Sequence, residues 1–296
     1  MYLPFAILAN LLNSIALTID KFLITKIIPD PLIYVFYFSL ISFVALLGIP
    51  FTQIPPSQVF ILASASTLSW TFGAYLMFWA LKTGQVQRVV PVIGTLIPLI
   101  LLAISLPTGG ITPIQAGAII LLVSGLIFLT IQDLKGRPII KELILEILAA
   151  LFFALAYLLL REAFLKQDFL TVLIWSRPIL LPIGAAILLI PATREKVLSI
   201  TTEGRFALKR TRWLFVGGQA AAGVSELLLL FAISLANPAL VNSLQGTKYV
   251  FLLVFSLILG KKYPEIFKIQ KVGRELLTTV LGTILIGVGL YLLAVI

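Results

Sequence analysis

Apolar residues in this chain fall in long unbroken runs separated by short polar or proline-rich joints. Ten runs can be marked, at 4–27, 32–49, 59–81, 89–106, 113–131, 143–164, 170–190, 214–235, 238–259 and 276–296. A helix needs about 20 such residues to cross a hydrocarbon core of about 30 Å. Outer-membrane strands would instead alternate over short segments. The joints are mostly tight: Pro29-Asp-Pro31, Pro55-Pro56, Pro107-Thr-Gly-Gly110 and Asn237-Pro238 are turn signals with little spare chain. Only 132–142, 191–213 and 260–275 are longer, and none has room for a soluble domain.

Composition agrees with the pattern. Of 296 residues, 60% are hydrophobic and 11% charged, with a mean hydropathy of +1.12. Soluble domains are nearer 45–50% apolar and about 25% charged. Met1-Tyr-Leu-Pro4 has no basic region and no evident cleavage site, so the first run is expected to be a membrane helix. The chain has no Cys and no His. Thiolate metal sites and the commonest general base are therefore absent, and no cofactor is expected.

The formal charge of +10 changes meaning in such a chain, because basic residues set orientation. Connections after odd-numbered runs hold 18 of the 22 Lys and Arg: Lys21, Lys26, Lys82, Arg88, Lys135, Arg137, Lys141, Arg194, Lys196, Arg205, Lys209, Arg210, Arg212, Lys261, Lys262, Lys268, Lys271 and Arg274. The positive-inside rule makes these connections cytoplasmic and places both termini outside the inner membrane. The bilayer, rather than nucleic acid, is the expected partner; a homodimer is left open.

Two halves of the chain show weak self-similarity. Trp79-Ala-Leu and Gly94-Thr95 align with Phe231-Ala-Ile and Gly246-Thr247 at an offset of 152. Ser124-Gly-Leu126 aligns with Val288-Gly-Leu290 at an offset of 164. The expected organisation is a first repeat at 1–131, a connection at 132–142 and a second repeat at 143–296. Five helices per repeat is an odd number, so the halves must cross in opposite senses. The expected fold is thus all-α, with ten transmembrane helices as two inverted five-helix repeats around a central cavity.

Charges inside the runs mark candidate chemistry. Glu226 and Lys248 each lie 11 residues from Asn237, on opposite sides of it, so each is roughly 16 Å along its helix from one turn. Buried at mid-membrane, such charges face a partner or a cavity. They are solute ligands in one reading and an ion pair tying two helices together in the other. Arg177, in Trp175-Ser-Arg-Pro178, sits too deep to reach a headgroup easily, beside a proline that frees a carbonyl. Asn242, Gln245 and Lys248 recur every third residue and make a polar stripe. Trp70, Tyr75 and Trp175 are candidate cavity aromatics with packing as the plainer role, and Asn13 is a polar position at depth in the first run. Pro91 and Pro98 are expected to kink the fourth run and to serve gating. Arg177 and Lys248 against Glu226 sum to plus one, which an anionic or zwitterionic solute would balance.

These features together resemble the EamA-type families of the drug/metabolite transporter superfamily, over essentially the whole length. Ala80-Leu81, Pro91, Pro98, Gly117 with Gly125, Ala232, and Gly282 with Gly289 carry the resemblance, as does Asp20-Lys21 at the end of the first run. It implies a carrier that moves small organic solutes, often outward, by alternating access. Two departures stand out. Many members have Gly-Glu after the fourth helix, where this chain reads Leu106-Pro-Thr-Gly-Gly-Ile111. Members of known topology usually have cytoplasmic termini, against the charge pattern here.

A secondary transporter, in the exporting direction, is therefore the leading expectation, with proton-coupled export of cationic drugs as the alternative. An intramembrane enzyme would want a nucleophile with a base, or paired acids for a metal, and no acidic pair is evident within the runs. A channel would want a filter loop or charge ring, and none is seen. No phosphate-binding loop marks ATP as the motor.

Overall fold

A computed structural model describes residues 2–24, 31–83, 86–130, 140–191, 193–195, 209–259 and 274–295. These form helices and turns, with no strand among the described residues. The α-helices are α1 (Leu3–Ile24), α2 (Pro31–Ser42), α3 (Ser57–Thr83), α4 (Val86–Ser105), α5 (Pro113–Thr130), α6 (Ile140–Phe164), α7 (Phe169–Trp175), α8 (Leu180–Leu189), α9 (Lys209–Leu235), α10 (Pro238–Ser243), α11 (Gly246–Leu259) and α12 (Arg274–Val295). A 3₁₀ helix covers Phe43–Phe51. Among the described residues, four stretches are long and apolar enough to cross a membrane: Ser57–Ala80, Ile140–Phe164, Phe169–Leu189 and Val216–Leu235. The chain is an all-α membrane protein.

Helix starts follow local chemistry. Proline, which has no N–H to lose, opens α2, α5 and α10. Thr112 and Gln115 exchange side-chain bonds with each other's N–H groups at 3.3 and 3.0 Å, a capping box for α5. Asp168 accepts from the Thr171 N–H at 3.0 Å and caps α7.

Three of the apolar runs are not single α-helices. Run 32–49 passes from α2 into the nine-residue 3₁₀ segment, much longer than such segments usually are. Run 170–190 breaks between Trp175 and Leu180, where Pro178 cannot continue the ladder. Run 238–259 breaks at Leu244–Gln245 without any proline. There Asn242 and Ser243 turn their side chains back onto the Pro238 and Leu240 carbonyls, at 2.9 and 2.8 Å. Such back-bonding competes with the helix, and Gly246 adds its low propensity.

The helices pack as two compact units. One holds α1, α4, α5 and α9–α12; the other holds α2, the 3₁₀ helix, α3 and α6–α8. The expected repeats at 1–131 and 143–296 are thus interleaved, each lending helices to both units.

In the second unit α3 lies against α6. A Cβ on Gly73 would sit 3.2 Å from the Ala149 carbonyl oxygen, and Ser66 Oγ donates to the Ala156 carbonyl at 2.8 Å. Small residues let the backbones approach, as membrane helices require. Gly48 similarly lets the 3₁₀ helix sit on Ile174 of α7. In the first unit α5 and α12 pack through reciprocal glycines. A Cβ on Gly125 would meet Ile286 at 2.7 Å and the Gly282 carbonyl at 2.8 Å; one on Gly289 would meet Leu122 at 2.7 Å and the Ala118 carbonyl at 3.2 Å. Each glycine therefore meets the residues three and seven before the other, which makes the two helices antiparallel.

Candidate site at a helix break

The site is built on the gap between α10 and α11. Asn237 caps α10, its Oδ1 accepting from the Ala239 N–H at 2.9 Å. After six residues the α-helix stops and bonds shorten to the i to i+3 type. Leu244 N–H reaches the Val241 carbonyl, Thr247 N–H the Leu244 carbonyl, and Lys248 N–H that of Gln245. Asn242, Ser243, Leu244, Gly246, Thr247 and Lys248 are all buried. Irregular backbone at membrane depth is tolerated only where protein or a water-filled cavity covers it.

Side chains from other helices complete the break. Asn10 of α1, 4% exposed, donates from Nδ2 to the Leu244 carbonyl at 3.1 Å and to the Ala6 carbonyl at 2.9 Å. Thr247 Oγ1 donates to the same Leu244 oxygen at 2.7 Å. Gln245 Nε2 donates to Asn242 Oδ1 at 2.9 Å. The α4 side is glycine: a Cβ on Gly94 would lie 3.2 Å from Gln245 Oε1. Pro98, four residues on and buried, has no N–H to give the Gly94 carbonyl. Gly94 of α4 thus lies close against the polar break on the facing helix. At the near end, Ser105 Oγ donates to Asn237 Oδ1 at 3.3 Å.

Lys248 stands in the first turn of α11 and is 9% exposed. Its ammonium lies 5.3 Å from the centroid of the Tyr249 ring. Among the described residues no ion pair holds it. Glu226 is half-buried on α9, one residue after Ser225, whose hydroxyl donates to the Ala9 carbonyl at 2.8 Å. Level depth on two helices has not joined Glu226 and Lys248 in a salt bridge. Asn13 is half-buried on α1. Pro91 lies within α4, with its side chain outside the described residues.

The remaining candidates lie in the second unit. Trp70 meets Phe153 edge-on at 5.7 Å. Tyr75 packs between Phe72 and Trp79 at 6.3 and 6.4 Å. Trp175 donates from Nε1 to Thr52 Oγ1 at 3.2 Å and faces Phe60 at 6.4 Å, so its polar edge is satisfied locally. Arg177 is half-buried in the gap between α7 and α8, its N–H reaching the Ile174 carbonyl at 3.1 Å.

Two features escaped the sequence reading. The link from Asn10 to the break joins residues far apart in the chain, and polarity at depth was its only signal. Glu142 and Glu146, four apart on α6 and 4% and 0% exposed, form a buried acidic pair on one helix face. The spacing was legible, but Glu142 lies just outside the run at 143–164 and Glu146 near its start, so the two did not read as a pair within a run. No group of three or more His, Cys, Asp or Glu able to hold a metal occurs among the described residues.

No known family model matches the chain, and no curated protein matches it. The fold itself has solved counterparts. One, described only as the crystal structure of a protein, superposes with a TM-score of 0.67 at 15% identity, over 98% of this chain and 95% of its own.

Proposed function

We propose that the protein is a secondary transporter that moves a small organic, anionic or zwitterionic metabolite across the inner membrane by alternating access, in the manner the EamA-type resemblance implies. The observation that carries this reading is the break between α10 and α11: a polar, buried interruption within an apolar run, flanked by Gly94 of α4. Such discontinuous helices are where carriers hold their solutes. Lys248 is buried there beside Asn10, Asn242 and Thr247, and a charge at such depth is expensive and marks function by default.

An inverted repeat belongs to the same reading, and helix neighbours support it. Helices five apart in the expected count are neighbours within each unit: α5 with α12, α4 with α10, and α2 with α8. The reciprocal contacts of Gly125 and Gly289 have the antiparallel sense that an in-plane two-fold axis would impose. The freed backbone of α4 supports a gating role for Pro98, and Pro91 shares that helix. Positive charge at Lys248 favours an acidic group on the solute.

The test is direct. Purified protein is screened by thermal shift against a metabolite library, and stabilising compounds are loaded into proteoliposomes for flux. Saturable flux of an anionic or zwitterionic hit supports the reading. Stabilisation by lipophilic cations, with flux driven by a proton gradient, would replace it with cation export.

A further inference from the structure

One charge at the break between α10 and α11 lacks a counter-charge. Lys248 is 9% exposed, and among the described residues its ammonium makes no hydrogen bond or ion pair. The Tyr249 ring, at 5.3 Å, offers it a face but no formal charge. A buried ammonium is costly unless something negative meets it. The neighbouring polar groups are already engaged. The Leu244 carbonyl receives Asn10 and Thr247, and the Gln245 amide is given to Asn242. None of these supplies a negative charge.

The local field has the same sign as the lysine. Lys248 occupies the first turn of the 14-residue α11, the positive end of that helix's dipole. Long side chains on a helix lean toward its N-terminus, the side on which the break lies. A full positive charge, a helix N-terminus and a bend in the backbone thus converge.

We propose that Lys248 and the N-terminus of α11 form the subsite that holds the carboxylate or phosphate group of a soluble anion. The subsite deepens the carrier reading and rests on it for the anion's passage, though not for its binding. A lipid headgroup carries the same chemistry, so the test must separate the two sources.

Full-length protein in phosphatidylcholine vesicles is treated with acetic anhydride, and acetylation is followed at Lys248 and at exposed Lys141 by mass spectrometry. The probes are succinate and inorganic phosphate, each against glycerol at matched ionic strength. At about ten times its Kd, an occupying anion should slow acetylation of Lys248 about tenfold and leave Lys141 unchanged. Equal rates with and without both anions would overturn the proposal. So would a Lys248 that never reacts, because an anion site must be reachable from water. Protection that appears only when phosphatidylglycerol is added to the bilayer would assign the site to lipid and overturn it as well. The test needs no variant, so misfolding does not enter. Flux in the same vesicles keeps the two readings apart. Protection without flux upholds the subsite and removes the carrier; flux without protection removes the subsite and keeps the carrier.

Discussion

The side-chain amide of Asn10 donates to the Leu244 carbonyl at 3.1 Å, tying α1 to the gap between α10 and α11. That carbonyl already takes the Thr247 N–H at 2.9 Å in an i to i+3 bond and the Thr247 hydroxyl at 2.7 Å. Asn10 adds a donor from a second helix while keeping its local bond to the Ala6 carbonyl. Asn10→Ala should therefore lower stability by about 0.5–2 kcal/mol, the range for interhelical bonds of this kind. Thermal unfolding in detergent measures it. An unchanged unfolding temperature would mean that the break is held by Thr247 alone.

The α5–α12 contact predicts an unequal response among glycines. A Cβ on Gly125 or Gly289 would collide with Ile286 or Leu122 at 2.7 Å, and at Gly125 backbone lies nearly as close. Gly125→Ala and Gly289→Ala should each cost about 1–3 kcal/mol, as overpacking does. Gly117 and Gly287, on the same two helices, would meet nothing within 4 Å. Alanine there should change stability by less than about 0.5 kcal/mol. Equal effects at all four would remove the reciprocal packing.

Asp168 gives a pH dependence. Burial alone would raise its carboxyl, but bonds from Thr171 and Gln167 outweigh that and hold it below the usual carboxylate value. A carboxyl lowered in the folded state stabilises fully above its unfolded value. That contribution is lost as pH falls through the folded value. Asp168→Ala should be about 1 kcal/mol less stable than the parent at pH 7. The gap should narrow as pH falls through and below the usual carboxylate range. Asp168→Asn keeps a capping group and should show a smaller, flatter deficit. A gap that stays constant with pH would mean that the carboxylate charge contributes nothing.

Orientation rests on the sequence. Eighteen of 22 basic residues follow odd-numbered runs, which predicts external termini. A phosphatase reporter fused after Ile296 should be active, and a cytoplasmic reporter there inactive. The opposite result would invert the protein without altering its helices.

The apolar runs made the helices legible, because hydrocarbon length and hydrophobic periodicity act locally. The breaks were legible only in part. Pro178 was visible as a breaker, although 170–190 read as one run. Leu244–Gln245 carries no breaker, and its gap depends on Asn242 and Ser243 turning inward and on Asn10 arriving from α1. Those are tertiary events that residue spacing does not encode. The same limit applies to Glu226 and Lys248. Counting residues from Asn237 gives depth, but which way each helix turns its charge is set by packing. The division into two units, each drawing on both ends of the chain, is likewise a matter of contact between distant segments.

The last prediction separates a functional charge from a structural one at Lys248. A buried ammonium costs stability unless it is paired, and replacing buried charge with a well-packed apolar group of similar size is often neutral or stabilising. Methionine matches the length of the lysine stem and adapts to irregular space. Lys248→Met should therefore unfold at a temperature equal to or above the parent's, while solute flux in proteoliposomes falls to background. Loss of function with stability kept is what a residue retained for its work would show. Glu226→Gln sharpens the comparison, because it removes a charge from the same unit at nearly constant volume. If Glu226 is a solute or proton ligand, flux should fall there too with folding intact. If Lys248→Met unfolds well below the parent, the ammonium is scaffold, and the solute must be sought elsewhere along the break. If both variants transport normally, neither charge touches the solute, and Arg177 becomes the remaining deep cation to test.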